Sequence, residues 1–204
     1  TLFRSSAASD VYKRQIGTTE RPIACLLSGG VDSSIITALV HKYYSCVDAK
    51  HRLKTFSVGM SGSEDIKHAR DVANHLGTDH TEIVFGPDEF FQAIPEVIKM
   101  IESYDTTTVR ASVGNYLIAK YISENTNAKV IFNGDGSDEV TGGYLYMLKA
   151  PNDLAFDKEC RRLLSNIHTF DVLRSDRCIS SNGLEPRTPF LDKSFVDYLS
   201  LIHI

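Results

Sequence analysis

Short apolar runs that stop at glycine alternate along the chain with longer segments whose apolar residues recur every three or four positions. Ile23 to Leu27 (IACLL) is a run of the first kind and reads as a buried strand ending at Gly29 and Gly30. Beyond it Ile35, Ile36, Leu39, Val40 and Tyr43 keep helical spacing. Lys54 to Met60 reads as a second strand. Glu64 to Leu76 reads as a helix with Ile66, Ala69, Val72, Ala73 and Leu76 on one face, closed by Gly77 as its C-cap. His80 to Phe85 alternates and reads as a third strand. Pro87 to Ile101 reads as helical despite Pro95, and Arg110 to Glu124 as helical through Val113, Leu117, Ile118, Tyr121 and Ile122. Ala128 to Glu139 is a strand running into a second glycine-rich loop. Phe156 to Ile179 reads as helical throughout, with Leu163, Leu164, Ile167, Phe170 and Leu173 as its apolar stripe.

Strands that alternate with helices build βαβ units. The expected fold class is therefore α/β, a parallel sheet with helices on both faces, followed by a helical C-terminal segment. Ligands of open parallel sheets bind outside the carboxyl ends of the strands. Both glycine-rich loops follow strands, so both are expected to open on that edge.

Composition narrows the picture without redirecting it. The chain has 204 residues, 42% hydrophobic and 24% charged, which suits one globular domain. Its formal net charge of -4 offers no general attraction to nucleic acid or anionic membrane, so any anion site must be local. No apolar run is long enough to span a bilayer and no secretory pattern is visible. Cys25, Cys46, Cys160 and Cys178 have no zinc-ligand spacing and are expected as buried small apolar residues of a reduced, cytoplasmic protein. The first fifteen residues, Thr1 to Gln15, have no periodicity and read as a non-native scar. Leu199 to Ile204 (LSLIHI) raises the same question as a tail, which leaves 16–198 as the native segment.

The first loop carries Ser28, Gly29, Gly30, Asp32, Ser33 and Ser34 between a strand and a helix. Glycines let backbone N–H groups converge, and a helix N-terminus adds unpaired donors and partial positive charge, so the parts suit a phosphate or pyrophosphate. No lysine follows the second glycine, which disfavours a Walker loop, and GxGxxG is absent. A carboxylate such as Asp32 beside polyphosphate needs a cation between them, and Mg²⁺ bridges the two. The plain alternative is a turn with Asp32 or Ser33 capping the helix. The second loop, NGDGSDE, places Asn133, Gly134, Asp135, Gly136, Ser137, Asp138 and Glu139 in the matching position. There Asp138 could join Asp32 on Mg²⁺, and Asp135 could accept a proton or orient a nucleophile. A solvated acidic turn is the alternative.

These residues resemble a known family. SGGVDSS at Ser28 is similar to the pyrophosphate loop of ATP-pyrophosphatases. TFSVGM at Thr55, ESYDTTTVRAS at Glu102, VIFNGDGSDEVTGGYLYMLKAPN at Val130 and GLEPRTPFLD at Gly183 narrow the resemblance to glutamine-hydrolysing asparagine synthetases, over about Pro22 to Tyr198. β-Lactam synthetases share the two loops but are less similar across YDTTTVRAS. The resemblance implies an adenine nucleotide α-hydrolase-like (HUP-type) fold and a C–N ligase using ATP and Mg²⁺. In that reaction the aspartate β-carboxylate attacks the α-phosphate of ATP, giving β-aspartyl-AMP and pyrophosphate. Ammonia derived from glutamine then yields asparagine and AMP.

The residue roles are carried by the same resemblance. Ser28, Gly29, Gly30, Asp32 and Ser33 match the pyrophosphate loop. Leu26 and Val58 match adenine- and ribose-lining positions, and Asn133 and Gly134 a further ATP contact. Asp32 and Asp138 match the magnesium-linked acids. Thr107, Thr108 and Arg110 lie in the stretch associated with aspartate recognition, where a guanidinium can clamp a carboxylate. Asp135 and Glu185, with Arg110, are the candidate catalytic residues. Arg187 lies with Glu185, and an internal ion pair holding the helical segment is their plain alternative.

Two departures bear on these roles. The family pattern is SGEGSDE where this chain has NGDGSDE, so Asn133 replaces serine and Asp135 replaces glutamate, withdrawing the carboxylate by one methylene, about 1.5 Å. The family's N-terminal glutaminase domain, with its cysteine nucleophile, and a catalytic lysine downstream of PFLD do not appear in these 204 residues. The expectation is thus a truncated ATP-binding core whose partners are small molecules, the glutaminase domain and, as a candidate, a second copy. A β-lactam-type or other amidating synthetase and a non-catalytic ATP-binding fragment are the alternatives.

Overall fold

The computed structural model describes residues 15–16, 19–47 and 52–203. Five strands form one sheet, all parallel: β1 (Ile23–Leu26), β2 (Lys54–Gly59), β3 (Asp79–Val84), β4 (Val130–Phe132) and β5 (Glu185–Arg187), in the order β3-β2-β1-β4-β5. The helices are α1 (Val31–Val47), α2 (Glu64–Leu76), α3 (Pro87–Ile101), α4 (Thr106–Asn125), the single-turn α5 (Ser137–Thr141), α6 (Asp153–Asn166), α7 (Asp171–Ser180) and α8 (Lys193–His203). The expected α/β class, with its parallel sheet and helical C-terminal segment, is what the chain adopts.

Strand residues alternate between two cores, as the pleat requires. Ile23 and Cys25 of β1 and Val130 and Phe132 of β4 pack with Ile36 and Val40 of α1 and with Phe195 and Leu199 of α8. On the other face Ala24, Phe56, Ile83 and Ile131 pack with Ile118 and Ile122 of α4 and Ile179 of α7. The register sets Ala24 beside Lys54 on one side and Ile131 on the other, which puts β1 at the centre. From β1 the chain runs outward to β2 and β3, and it later returns to lay β4 on β1's opposite side. The strand order therefore reverses between β1 and β4, where an open α/β sheet leaves a crevice at its carboxyl edge.

Three expectations need correction. Phe156–Ile179 is not one helix: α6 ends at Asn166, a 3-10 turn covers Ile167–Thr169, and Phe170 breaks the path with φ -137° and ψ -81° before α7 starts. Apolar periodicity ran through the break because the turn's own residues, Ile167 and Phe170, also face the core. Helix α4 starts at Thr106, not Arg110, because Asp105 caps it by accepting from the Thr108 backbone N–H at 2.7 Å. Cys46 is exposed near the end of α1, whereas Cys25, Cys160 and Cys178 are buried and all four are free thiols. Residues 1–14 lie outside the described residues. Ile16 is buried in the α1 core, and so is Leu199, 5% exposed, on α8.

Candidate functional site

The first loop continues β1 by one residue, since the Leu27 N–H donates to the Phe56 carbonyl at 2.8 Å, and then turns at Ser28-Gly29-Gly30 into α1. Its serines hold the loop together. The Ser28 and Ser33 hydroxyls lie 2.9 Å apart, the Ser28 N–H donates to Ser33 Oγ at 3.2 Å, and the Ser34 hydroxyl donates to the Gly30 carbonyl at 2.7 Å. Gly29 has φ 81°, and a Cβ there would lie 2.4 Å from the Ala69 backbone nitrogen of α2. Only glycine satisfies both conditions.

The second loop repeats the strand–glycine–helix plan after β4. The Asn133 N–H extends the ladder to the Arg187 carbonyl at 3.1 Å, and the chain turns through Gly134-Asp135-Gly136 into α5. A Cβ on Gly134 would lie 2.9 Å from the Ser33 backbone nitrogen, so the two loops touch backbone to backbone. The Ser137 hydroxyl donates to Asp32 Oδ1 at 2.7 Å and ties them together. The Asp32 carboxylate is thus engaged by the other loop. The expected shared edge is present.

Between the loops and α7 lies a cleft of about 260 Å³ lined by Leu26, Ser28, Asp32, Ser33, residues 133–139, Asn115, Asp171 and Arg174. Asp32, Asp135, Asp138, Glu139 and Asp171 face it, against the single base Arg174, which pairs with Asp171 at 2.5 Å. Withdrawal from water raises the carboxyls of Asp135, Asp138, Glu139 and Asp171 above their usual range. The neighbouring acids add to it: Glu139 raises Asp135, Asp32 and Glu139 raise Asp138, and Asp171 raises Glu139. Glu139 is 0% exposed and accepts from the Tyr144 hydroxyl, and the Ser175 hydroxyl and Arg174 lower Asp135 against its burial. Such a wall calls for a cation.

Among the described residues no group of three or more His, Cys, Asp or Glu side chains has a metal-holding arrangement. Mg²⁺ delivered with polyphosphate takes one or two carboxylates and keeps water and phosphate oxygens as its other ligands, so a fit to it turns on individual acids of the wall. Asp32, whose Oδ1 is taken by Ser137, lies close enough to Asp138 for its charge to raise the Asp138 carboxyl.

Not every expected residue reaches this cleft. Leu26, Ser28, Asp32, Ser33, Asn133, Gly134, Asp135 and Asp138 do, and Gly29 and Gly30 form the turn beneath them. Val58 is half-buried near the end of β2 and packs on the α4 core, with Gly114 beside it. Thr107 is exposed, and Thr108 is buried as the partner of the Asp105 cap, its hydroxyl donating to Asp105 Oδ1 at 2.7 Å. Arg110 lines a different groove, with Met60, Phe91 and Tyr104. Glu185 starts β5 at the opposite end from the loops and pairs with Arg187 of the same strand at 2.8 Å, so the pair does not hold the helical segment. Sequence reading left out Asp171, Arg174, Ser175 and Tyr144. The Asp171–Arg174 spacing of three, typical of a helical ion pair, was the signal available for the first two.

A family model described as "Asparagine synthase" matches residues 8–154 and 148–203. The chain belongs to the asparagine synthase family. It is 51% identical to the asparagine synthetases (glutamine-hydrolyzing) of Bos taurus and Homo sapiens, over 180 residues in each case, which is 88% of this chain and 32% of each relative. The chain thus spans about a third of the length of the curated relatives it matches. Among solved structures, the NAD+ synthetase from Burkholderia pseudomallei is similar over 96% of this chain and 87% of its own, with a TM-score of 0.42 and 16% identity. No helix among the described residues is long and apolar enough to cross a membrane.

Proposed function

We propose that this family member is the ATP-using part of a C–N ligase that converts aspartate to asparagine through β-aspartyl-AMP, releasing pyrophosphate and AMP. The observation that carries this reading is the contact of the two glycine-rich loops at the switch point of the sheet, with Asp32 bonded across it and Asp138 beside it.

A carboxylate is a poor acyl donor, and adenylation gives it a good leaving group at the cost of separating a pyrophosphate anion. In this reading the backbone N–H groups of Gly29, Gly30 and the first turn of α1 receive the departing phosphates, with the helix N-terminus adding positive charge. The serines serve by fixing the loop's shape. Leu26 lies against the nucleotide base or ribose. Asp32 and Asp138 hold Mg²⁺, which when bound offsets phosphate charge and stabilises the leaving pyrophosphate. Asp135, in the cleft wall, orients the attacking group or accepts its proton. Ammonia comes from a glutaminase domain, as the name of the relatives indicates for them, and the compartment is the cytoplasm.

The test is aspartate-dependent pyrophosphate release from ATP and Mg²⁺ by this chain within a protein of its relatives' length. Release that requires aspartate is expected, and its absence with intact ATP binding leaves a non-catalytic nucleotide-binding module. One observation favours a second reading with a different acid in the same cleft: Thr107, Thr108 and Arg110 do not line it. Adenylate formation screened across carboxylic acids separates the two.

A further inference from the structure

The shortened acid at position 135 has a partner. Asn133 is 3% exposed, and both protons of its side-chain amide are used: Nδ2 donates to Asp135 Oδ2 at 2.9 Å and to Ser175 Oγ at 2.7 Å. Its Oδ1 accepts from the Asp135 backbone N–H at 3.3 Å, which fixes which way the amide faces, since a flipped amide would set oxygen against carboxylate. Ser175 is 1% exposed on α7, a helix whose first turn is held by the Asp171–Arg174 pair. The Ser175 hydroxyl, which accepts from Asn133, also lowers the buried Asp135 carboxyl against the effect of its burial. The carboxylate is thus held by an amide that is itself anchored on a buried hydroxyl of α7.

We propose that Asn133 is a positioning residue for Asp135, and that the two side chains act as one unit in which neither can be exchanged alone. The resemblance gives serine and glutamate at these two positions. A serine at 133 has one proton to donate and a side chain too short to span the distance the Asn133 amide covers between Asp135 and Ser175. A glutamate at 135 carries its carboxylate about 1.5 Å further out, past the point where the Asn133 amide and Ser175 converge. Asparagine with aspartate, and serine with glutamate, are two self-consistent solutions for holding one carboxylate, and the mixed pairs are not.

This inference rests on the proposed function, and its test separates the two. Asn133→Ser, Asp135→Glu and the double variant Asn133→Ser/Asp135→Glu are compared with the parent in the full-length enzyme, by kcat and KM for aspartate-dependent pyrophosphate release. Each single variant is expected to lose about 10- to 100-fold in kcat, the scale of a 1 Å misplacement, with KM for ATP little changed. The double variant is expected to recover most of that loss. Losses that multiply in the double variant, or an Asn133→Ser variant as fast as the parent, overturn the coupling. If the parent itself releases no pyrophosphate, the function fails and the pairing is decided by NMR. Asp135→Asn and Ser175→Ala should each shift a different one of the two Asn133 side-chain amide protons, and protons that respond to neither overturn it.

Discussion

The loop after β1 is tied by its own residues. Ser28, Ser33 and Ser34 bond to one another and to Gly30, all within seven positions, and Asp32 is its one acid. The loop after β4 is tied by residues far away in the chain: Asn133 by Ser175, Gly136 packed under Leu191, and Asp135 flanked by α7. It also carries three acids whose carboxyls are all raised by burial, with Glu139 raising the other two and Asp171 of α7 raising Glu139. One loop is a cradle whose serine bonds are its own, with Ser137 reaching Asp32 from outside and α2 packed against Gly29. The other is a charged arm whose geometry depends on tertiary packing.

The largest effect that would break this comparison is expected at the first loop. Gly29→Ala forces a side chain into φ 81° and into the α2 backbone, so a loss of about 2–4 kcal/mol is expected by urea unfolding. Gly62→Ala isolates the conformational part, because φ there is 80° and nothing lies within 4 Å of the added carbon. It should cost about 1–2 kcal/mol. Equal losses at the two positions would mean that the cradle does not press on α2.

The bond between the loops comes next. Ser137→Ala frees Asp32 Oδ1 and removes what orients that carboxylate. Outer-shell losses of this kind weaken metal affinity by about 10-fold or more, and titration of a non-hydrolysable ATP analogue with and without Mg²⁺ measures it. Ser34→Ala removes a hydroxyl engaged only with its own loop's Gly30 carbonyl and is expected to leave the Mg²⁺ dependence unchanged. Matching effects from the two serines would erase the distinction between cradle and arm.

Charge sharpens the comparison through pH. An acid whose folded pKa is raised contributes stability that is fully present below its unfolded value and is lost as pH rises through the folded value. Asp138 is such a group, raised by burial first and then by Asp32 and Glu139. Without Mg²⁺, Asp138→Asn should therefore be more stable than the parent at pH 8, with the difference shrinking as pH falls toward the ordinary carboxylate range. Urea unfolding across that range checks it, and a difference that grows on acidification would show that the arm bears its charge without strain.

What the sequence made legible follows the same division. The first loop's serine bonds lie within its own letters, so strand, glycines and helix could be read together. The second loop's letters were equally plain, but its partners sit on α7, and the break before Asp171, Arg174 and Ser175 is hidden by the apolar Ile167 in the turn and Phe170 just after it. Residues inferred from resemblance alone are placed apart: Leu26 lines the cleft, whereas Arg110 lines another groove with Met60 and Tyr104, and Thr108 serves the Asp105 cap. A resemblance transfers a residue's identity, but its placement depends on how a local cap or turn directs the side chain.

The smallest effect is expected at Glu185, where the two kinds of inference disagree most directly. Its carboxylate is exposed and paired with Arg187, and an ion pair of that kind contributes within about 1 kcal/mol. What ties β5 to the second loop is the Arg187 carbonyl receiving the Asn133 N–H, a main-chain bond that a change of side chain at 185 leaves in place. Arg187 also keeps its second contact, to the Gln15 carbonyl. Glu185→Gln should therefore shift the unfolding midpoint slightly and leave pyrophosphate release near the parental rate. A fall in kcat of about 100-fold or more, the scale of a lost general acid or base, at unchanged stability would instead put this carboxylate at the reacting atoms, which would require β5 to carry it around the sheet edge from where it now stands.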